Sequence, residues 1–219
     1  MNILILANKP PYPTKDGSSL ATLNMSIGLA ESGNRVKVLA FTTQKHPCTI
    51  EQIPSELRAL IDFEFVNINT SIKPFNAFLN ILFSQLPYNV ERFIDKNFRQ
   101  KLTAILKQES FDIIQLEGLY LVPFIKEIKK ECNTPVVYRS HNVEHEIWKR
   151  IATNEKNPIK AWYFKLLSKR IAKMEAEIAQ QVSALVAISK RDENWFLSRN
   201  FSKPSISIPS GYKSNGAPD

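Results

Sequence analysis

Residues 135–150 read PVVYRSHNVEHEIWKR, and the fold turns on whether they form one metal-binding helix or a strand that runs into a helix. His141, Glu144 and His145 spell the HxxEH string of inverted zinc peptidases. That chemistry needs both histidines on one helix, a turn apart, so that their ring nitrogens converge on one ion. The flanking residues argue against it. Pro135 and the β-branched pair Val136 and Val137 open a strand that ends at Tyr138 and Arg139. Ser140, His141 and Asn142 then make the turn, with Asn142 a good helix N-cap and Glu144 and Glu146 in the first turn, where the helix dipole favours carboxylates. His141 precedes the helix and His145 lies inside it, so no metal site is expected.

Working outward, short apolar runs alternate with longer segments of helical period, the signature of βα units around a parallel sheet. Strands are predicted at 2–6, 35–41, 63–66, 112–116, 136–139, 184–188 and 205–208. Several are continuous runs, such as VKVLAF and ALVAI, as expected of strands covered on both faces. Helices are predicted at 18–32, 77–86, 90–108, 119–130, 143–153, 159–181 and 191–199, the first stopped by Gly33 and Asn34. The fold class is therefore α/β, a doubly wound, mainly parallel, Rossmann-like sheet. Residues 1–209 are read as one domain, and PSGYKSNGAPD as the last strand giving way, over 210–219, to the start of a linker.

The chain has 219 residues, 43% of them hydrophobic, enough for a sizeable core. Cys48 and Cys132 fit no zinc or redox spacing and read as reduced thiols in a cytoplasmic protein. The run Ile3 to Ala7 is too short for a signal-peptide core, and no stretch carries the roughly 20 apolar residues of a membrane span. A net charge of +8 favours anionic partners. Nucleic acid ranks last among them, because no recognition motif or aromatic platform accompanies the charge.

In open α/β sheets ligands bind beyond the carboxyl ends of the strands, so three loops there are candidates. His141 stands at one such end, before a helix N-terminus. In PPYPTKDGSS, Gly17 permits positive φ and close backbone approach, and the amides of Ser18 and Ser19 open a helix, a potential anion site. Glu117, before Gly118, puts a carboxylate at the same edge, where it could accept a hydrogen bond from a hydroxyl. The helix IKAWYFKLLSKRIAKMEAEIA carries Lys165, Lys169 and Lys173 beside an apolar face, as an interfacial helix or an ordinary packed one would.

Together, MNILILANKPPYPTKDGSS, LATLNMSIGLAESGNRVKVLAF, PVVYRSHNVEHEIWKRIA, SALVAISKRDENWF and SISIPSGY resemble the N-terminal half of a family-four glycosyltransferase of GT-B architecture, of the bacterial surface-polysaccharide type. Ser18, Ser183 and Ser210 depart from residues frequent in that family. The resemblance implies a retaining, nucleotide-sugar-dependent enzyme that needs no cofactor or metal and uses a glycan or lipid-linked acceptor. A C-terminal donor domain would lie outside this chain, which alone would be inactive. It implies that His141 lines the cleft beside the transferring sugar and that Gly17 and Ser18 approach donor phosphate or acceptor. Glu117, Arg139 and Asn142 would help to place substrate, and Glu144 would orient His141 or cap its helix. The implied location is cytoplasmic, with peripheral contact at an anionic membrane face. The alternative is a non-enzymatic basic α/β domain that binds an anionic partner or membrane surface.

Overall fold

A computed structural model describes residues 1–209. Among them seven strands form one parallel sheet: β1 (Asn2–Ala7), β2 (Arg35–Thr42), β3 (Ile61–Asn67), β4 (Ile113–Glu117), β5 (Val136–Ser140), β6 (Ala184–Ala187) and β7 (Ser205–Ser207). Their order is β3-β2-β1-β4-β5-β6-β7. The chain thus winds outward from β1 in one direction, then crosses to β4 and winds in the other. The reversal between β1 and β4 is the topological switch point, where crossover connections diverge and leave a crevice at the carboxyl edge.

The continuous apolar runs are explained by two separate cores, one on each face of the sheet. Leu4, Leu6, Leu39 and Phe41 point to one face, and Ile3, Ile5, Val36 and Val38 to the other, because successive side chains in a strand alternate. The first core takes Phe98, Leu102 and Ile105 from α5 (Lys96–Gln108), with Leu167, Ile171 and Ile178 from α8 (Pro158–Gln181). The second takes Leu23 and Ala30 from α1 (Gly17–Glu31), which ends at Gly33 with a φ of 82°. The doubly wound architecture is as the sequence predicts.

Local differences have local causes. The single helix predicted at 90–108 is two, α4 (Tyr88–Glu91) and α5, because the Asp95 carboxylate accepts from the amides of Asn97 and Phe98 and starts a new helix there. The helix predicted at 119–130 opens as a 3₁₀ segment, Leu119–Phe124, containing Pro123, before α6 (Ile125–Glu131). A short α2 (Ser55–Leu60) and a 3₁₀ turn at Ile50–Gln52 were not predicted. They are too brief to show a period. α3 (Pro74–Phe83), α7 (Glu144–Asn154) and α9 (Lys190–Leu197) complete the helices described. The predicted linker, 210–219, lies outside the described residues.

Candidate functional site

The crevice beyond β1 and β4 is floored by a buried charge cluster. Glu117 ends β4, and Arg139 lies in register beside it on β5; each is 1% exposed. Glu117 Oε2 accepts from Arg139 Nη1 at 3.0 Å, from Thr22 Oγ1 of α1 at 3.0 Å and from His141 Nε2 at 2.6 Å. Its other oxygen accepts from Gln115 Nε2, two residues back on the same strand face. Arg139 Nη1 also donates to the Ala21 carbonyl at 3.2 Å, tying β5 to α1. Burial alone would raise the Glu117 carboxyl. The His141 hydrogen bond, the Arg139 charge and the remaining donors outweigh it and hold the group at about 2.

His141 sits on this floor. With Nε2 committed to Glu117, its Nδ1 has no protein partner among the described residues. Gly118 lies beneath the ring at φ 92° and ψ 174°, a conformation open essentially to glycine alone. A Cβ there would stand 4.0 Å from His141 Cδ2. A cavity of about 220 Å³ opens above, lined by Lys9, Ser18, Glu117, His141, Asn142 and Glu144 among others. It shares Asn8, Lys9 and Tyr120 with a second cavity of about 850 Å³ along the ends of β1, β2 and β3. Arg92, Asn89, His46, Lys45, Tyr120 and Trp148 line the larger one. Asn89 Oδ1 and Arg92 Nε are buried without a hydrogen-bond partner among the described residues. Burial and the charge of Lys9 push the His46 imidazole below its ordinary value.

Several expectations need correction. Asn142 is not the cap of α7: Val143 holds that position without a side-chain bond. The first amides of α7 instead donate to Glu175, from the C-terminal half of α8, at 2.7 Å (Glu144 N) and 3.4 Å (His145 N). Asn142 is exposed at the cavity rim, its carbonyl accepting from Ser140 Oγ at 2.8 Å. Glu144 neither orients His141 nor caps the helix. It lines the cavity with a carboxyl raised to about 7, first by burial and then by the neighbouring charge of Glu175. Gly17 is the first residue of α1 and has no positive φ, and a Cβ on it would meet nothing within 4 Å.

The amide of Ser19 is not open to a ligand: Asp16 Oδ1 accepts it at 2.9 Å and takes Ser18 Oγ at 3.0 Å. Lys9 pairs with the same carboxylate at 2.6 Å. The first helix thus already carries an anion at its N-terminus. Glu117 and Arg139 are not surface groups waiting for an acceptor, since protein donors fill Glu117. Their place is beneath His141.

The HxxEH string is divided as its context predicts, each histidine having its own carboxylate. His145 Nδ1 lies 2.7 Å from Glu175 Oε2, and its ring packs 4.9 Å from Trp195. Sequence reasoning missed Thr22, Gln115, Asp16, Lys9 and Glu175. Asp16 was legible as a helix cap before Gly17. Gln115 was legible as the same-face neighbour of Glu117. Nothing in the local sequence marks Thr22 or Glu175.

No protein-family model matches the chain, and no curated protein matches its sequence. Solved structures do match. UGT2 of Phytolacca americana, complexed with UDP-2fluoro-glucose and pterostilbene, superposes with a TM-score of 0.60 at 11% identity, over 98% of this chain and 55% of that one. Sucrose-phosphate synthase of Thermosynechococcus elongatus gives 0.56 at 14% identity, over 97% and 49%. The lipopolysaccharide outer core galactosyltransferase WaaB gives 0.50 at 12% identity, over 98% and 47%. The chain spans about half the length of these neighbours. Its seven-stranded parallel sheet with helices on both faces is the Rossmann-like fold of the half of GT-B glycosyltransferases that it covers.

Proposed function

We propose that this chain is the acceptor-binding half of a retaining, nucleotide-sugar-dependent glycosyltransferase. A C-terminal donor domain would close over the carboxyl edge of its sheet, and the acceptor would be a glycan or a lipid-linked sugar. The observation that carries the reading is His141, fixed by the buried carboxylate of Glu117 at the switch point and facing a cavity. The fold, shared with sugar transferases, agrees with it. Cys48 and Cys132, both free thiols, suit the cytoplasmic side.

The proposed work of each residue follows from its contacts. Glu117 takes the Nε2 proton of His141 in a hydrogen bond and fixes both tautomer and ring angle. Nδ1 is then an acceptor for a hydroxyl of the transferring sugar. Lys9 and the α1 N-terminus, with Gly17 and Ser18, border the donor side. The larger cavity takes the acceptor: Asn89 and Arg92 supply buried polar groups with unused valence, and Tyr120 and Trp148 supply ring faces for a sugar. A transition state held from two sides loses most of its stabilisation when one wall is missing, so the 219-residue chain alone is inactive on this reading.

The test uses the full-length enzyme with saturating UDP-sugar and acceptor. His141→Ala lowers turnover about 10²-fold or more without a matching loss of folding, and His145→Ala stays within a few-fold. Equal turnover of His141→Ala and parent would sink the proposal.

A further inference from the structure

Helices of globular domains turn their apolar residues inward; α3 does the reverse. Its one buried residue is Asn80. The Asn80 amide donates to Glu91 Oε2 at 2.7 Å and to the Leu86 carbonyl at 3.0 Å, and its Oδ1 accepts from Arg170 Nη1 at 2.8 Å. Arg170, on α8, also holds the Ile81 carbonyl at 2.9 Å, and Lys173 reaches Gln85 at 2.9 Å. Polar bonds thus attach α3 to α8, while Phe75 (70% exposed), Phe78, Leu79, Leu82 and Phe83 (82% exposed) face outward. Ile72 before it, and Ile159 and Trp162 on α8, are exposed as well.

Cations predominate around this face: of the nearest carboxylates, Glu91 is taken up by Asn80 and Ser84 beneath α3, and Glu177 stands beside Lys173 at 3.9 Å. No Asp or Glu occurs from Phe65 to Val90, nor from Lys156 to Met174. Lys73 precedes α3, and on α8 Trp162, Lys169 and Lys173 fall on one stripe by helical spacing, the stripe whose Lys173 reaches the far end of α3. None of these apolar side chains belongs to either core. Among the described residues no helix is long and apolar enough to cross a membrane.

We propose that this face docks on an anionic lipid bilayer. α3 lies in the headgroup layer with its phenylalanines toward the acyl chains, Lys73, Lys169 and Lys173 meet the lipid phosphates, and Trp162 sits at the boundary. An apolar strip rimmed by Lys73, Lys169 and Lys173, with no Asp or Glu on α3 itself, complements an apolar interior under a negative surface. Docking also has a geometric consequence. The segment Ile68 to Ile72 lines the larger cavity and runs directly into α3, so the cavity mouth is brought to the bilayer. Docking of this face does not depend on sugar transfer.

The test sediments the 219-residue chain with vesicles of phosphatidylcholine alone or mixed with phosphatidylglycerol, and follows Trp162 fluorescence. The expected result is binding to the mixed vesicles about tenfold or more tighter than to neutral ones, weakening with salt, with a blue shift absent in Trp162→Phe. Phe75→Ser/Phe78→Ser/Phe83→Ser loses about tenfold or more with an unchanged unfolding midpoint, because those side chains are exposed in the fold; Lys73→Glu/Lys169→Glu loses a similar amount. Undiminished binding of the triple variant overturns the proposal. So does a parent that ignores both vesicles, whether monomeric or a dimer that the triple variant disperses, the dimer showing that a second copy covers the face.

Discussion

Replacing Glu117 by glutamine removes a charge that Arg139 and His141 both need, and two independent routes give the size of the effect. The carboxyl falls from 4.5 to about 2 on folding, which at ~1.4 kcal/mol per unit amounts to about 3 kcal/mol. Removing one partner of a buried ion pair costs about 3–5 kcal/mol, because the other charge stays desolvated. The substituted amide could still accept a hydrogen bond, so the lower end, about 3 kcal/mol, is expected. For a domain of this size that lowers the thermal midpoint by roughly 6–12 °C. The pH dependence fixes the cause. A carboxyl whose folded pKa is depressed contributes stability above its unfolded value and loses it as pH falls through the folded one. The gap between parent and Glu117→Gln in urea unfolding is therefore full at pH 7 and shrinks as pH drops from about 4.5 toward 2. Arg139→Met added to Glu117→Gln recovers part of the loss, since it removes the stranded cation. A difference below about 1 kcal/mol at pH 7, or one that does not change with pH, would refute the reasoning.

Other outcomes follow from the same geometry. Glu144→Gln stabilises the chain at pH 8 by roughly 1–3 kcal/mol in urea unfolding and leaves it unchanged below pH 4; a carboxyl raised to about 7 subtracts stability as pH climbs from its unfolded value to its folded one and is harmless below both. Glu175→Gln costs about 3 kcal/mol, since Glu175 is fully buried and serves both the α7 amides and His145; a neutral result by calorimetry would remove its capping role. Asp16→Ala costs about 1 kcal/mol as the loss of a helix cap, measured by thermal unfolding. Gly118→Ala costs about 1–3 kcal/mol from backbone strain alone, with denaturant unfolding as the check.

The amino-acid sequence by itself determined the layered α/β architecture. Continuous apolar strands such as Ile3 to Ala7 require cover on both faces, and the strand-turn-helix junction at Tyr138 to Glu144 places His141 at a carboxyl edge. It also separated His141 from His145, because a turn residue and a helical residue cannot share the spacing that a metal needs. The partners of those histidines were decided only in three dimensions. Glu117 meets His141 because β4 and β5 lie side by side in the sheet order, and Thr22 joins them from 95 residues away in the chain. Glu175 displaces Asn142 as the source of the α7 cap because α7 and α8 pack together, bringing a buried carboxylate to free amides that local propensity assigns to the nearest Asn. For α3 the helical signal was legible, but its orientation was not. Helical period says which residues share a face, and only the bonds of Asn80 to Arg170 and Glu91 decide that the polar face is the one turned inward.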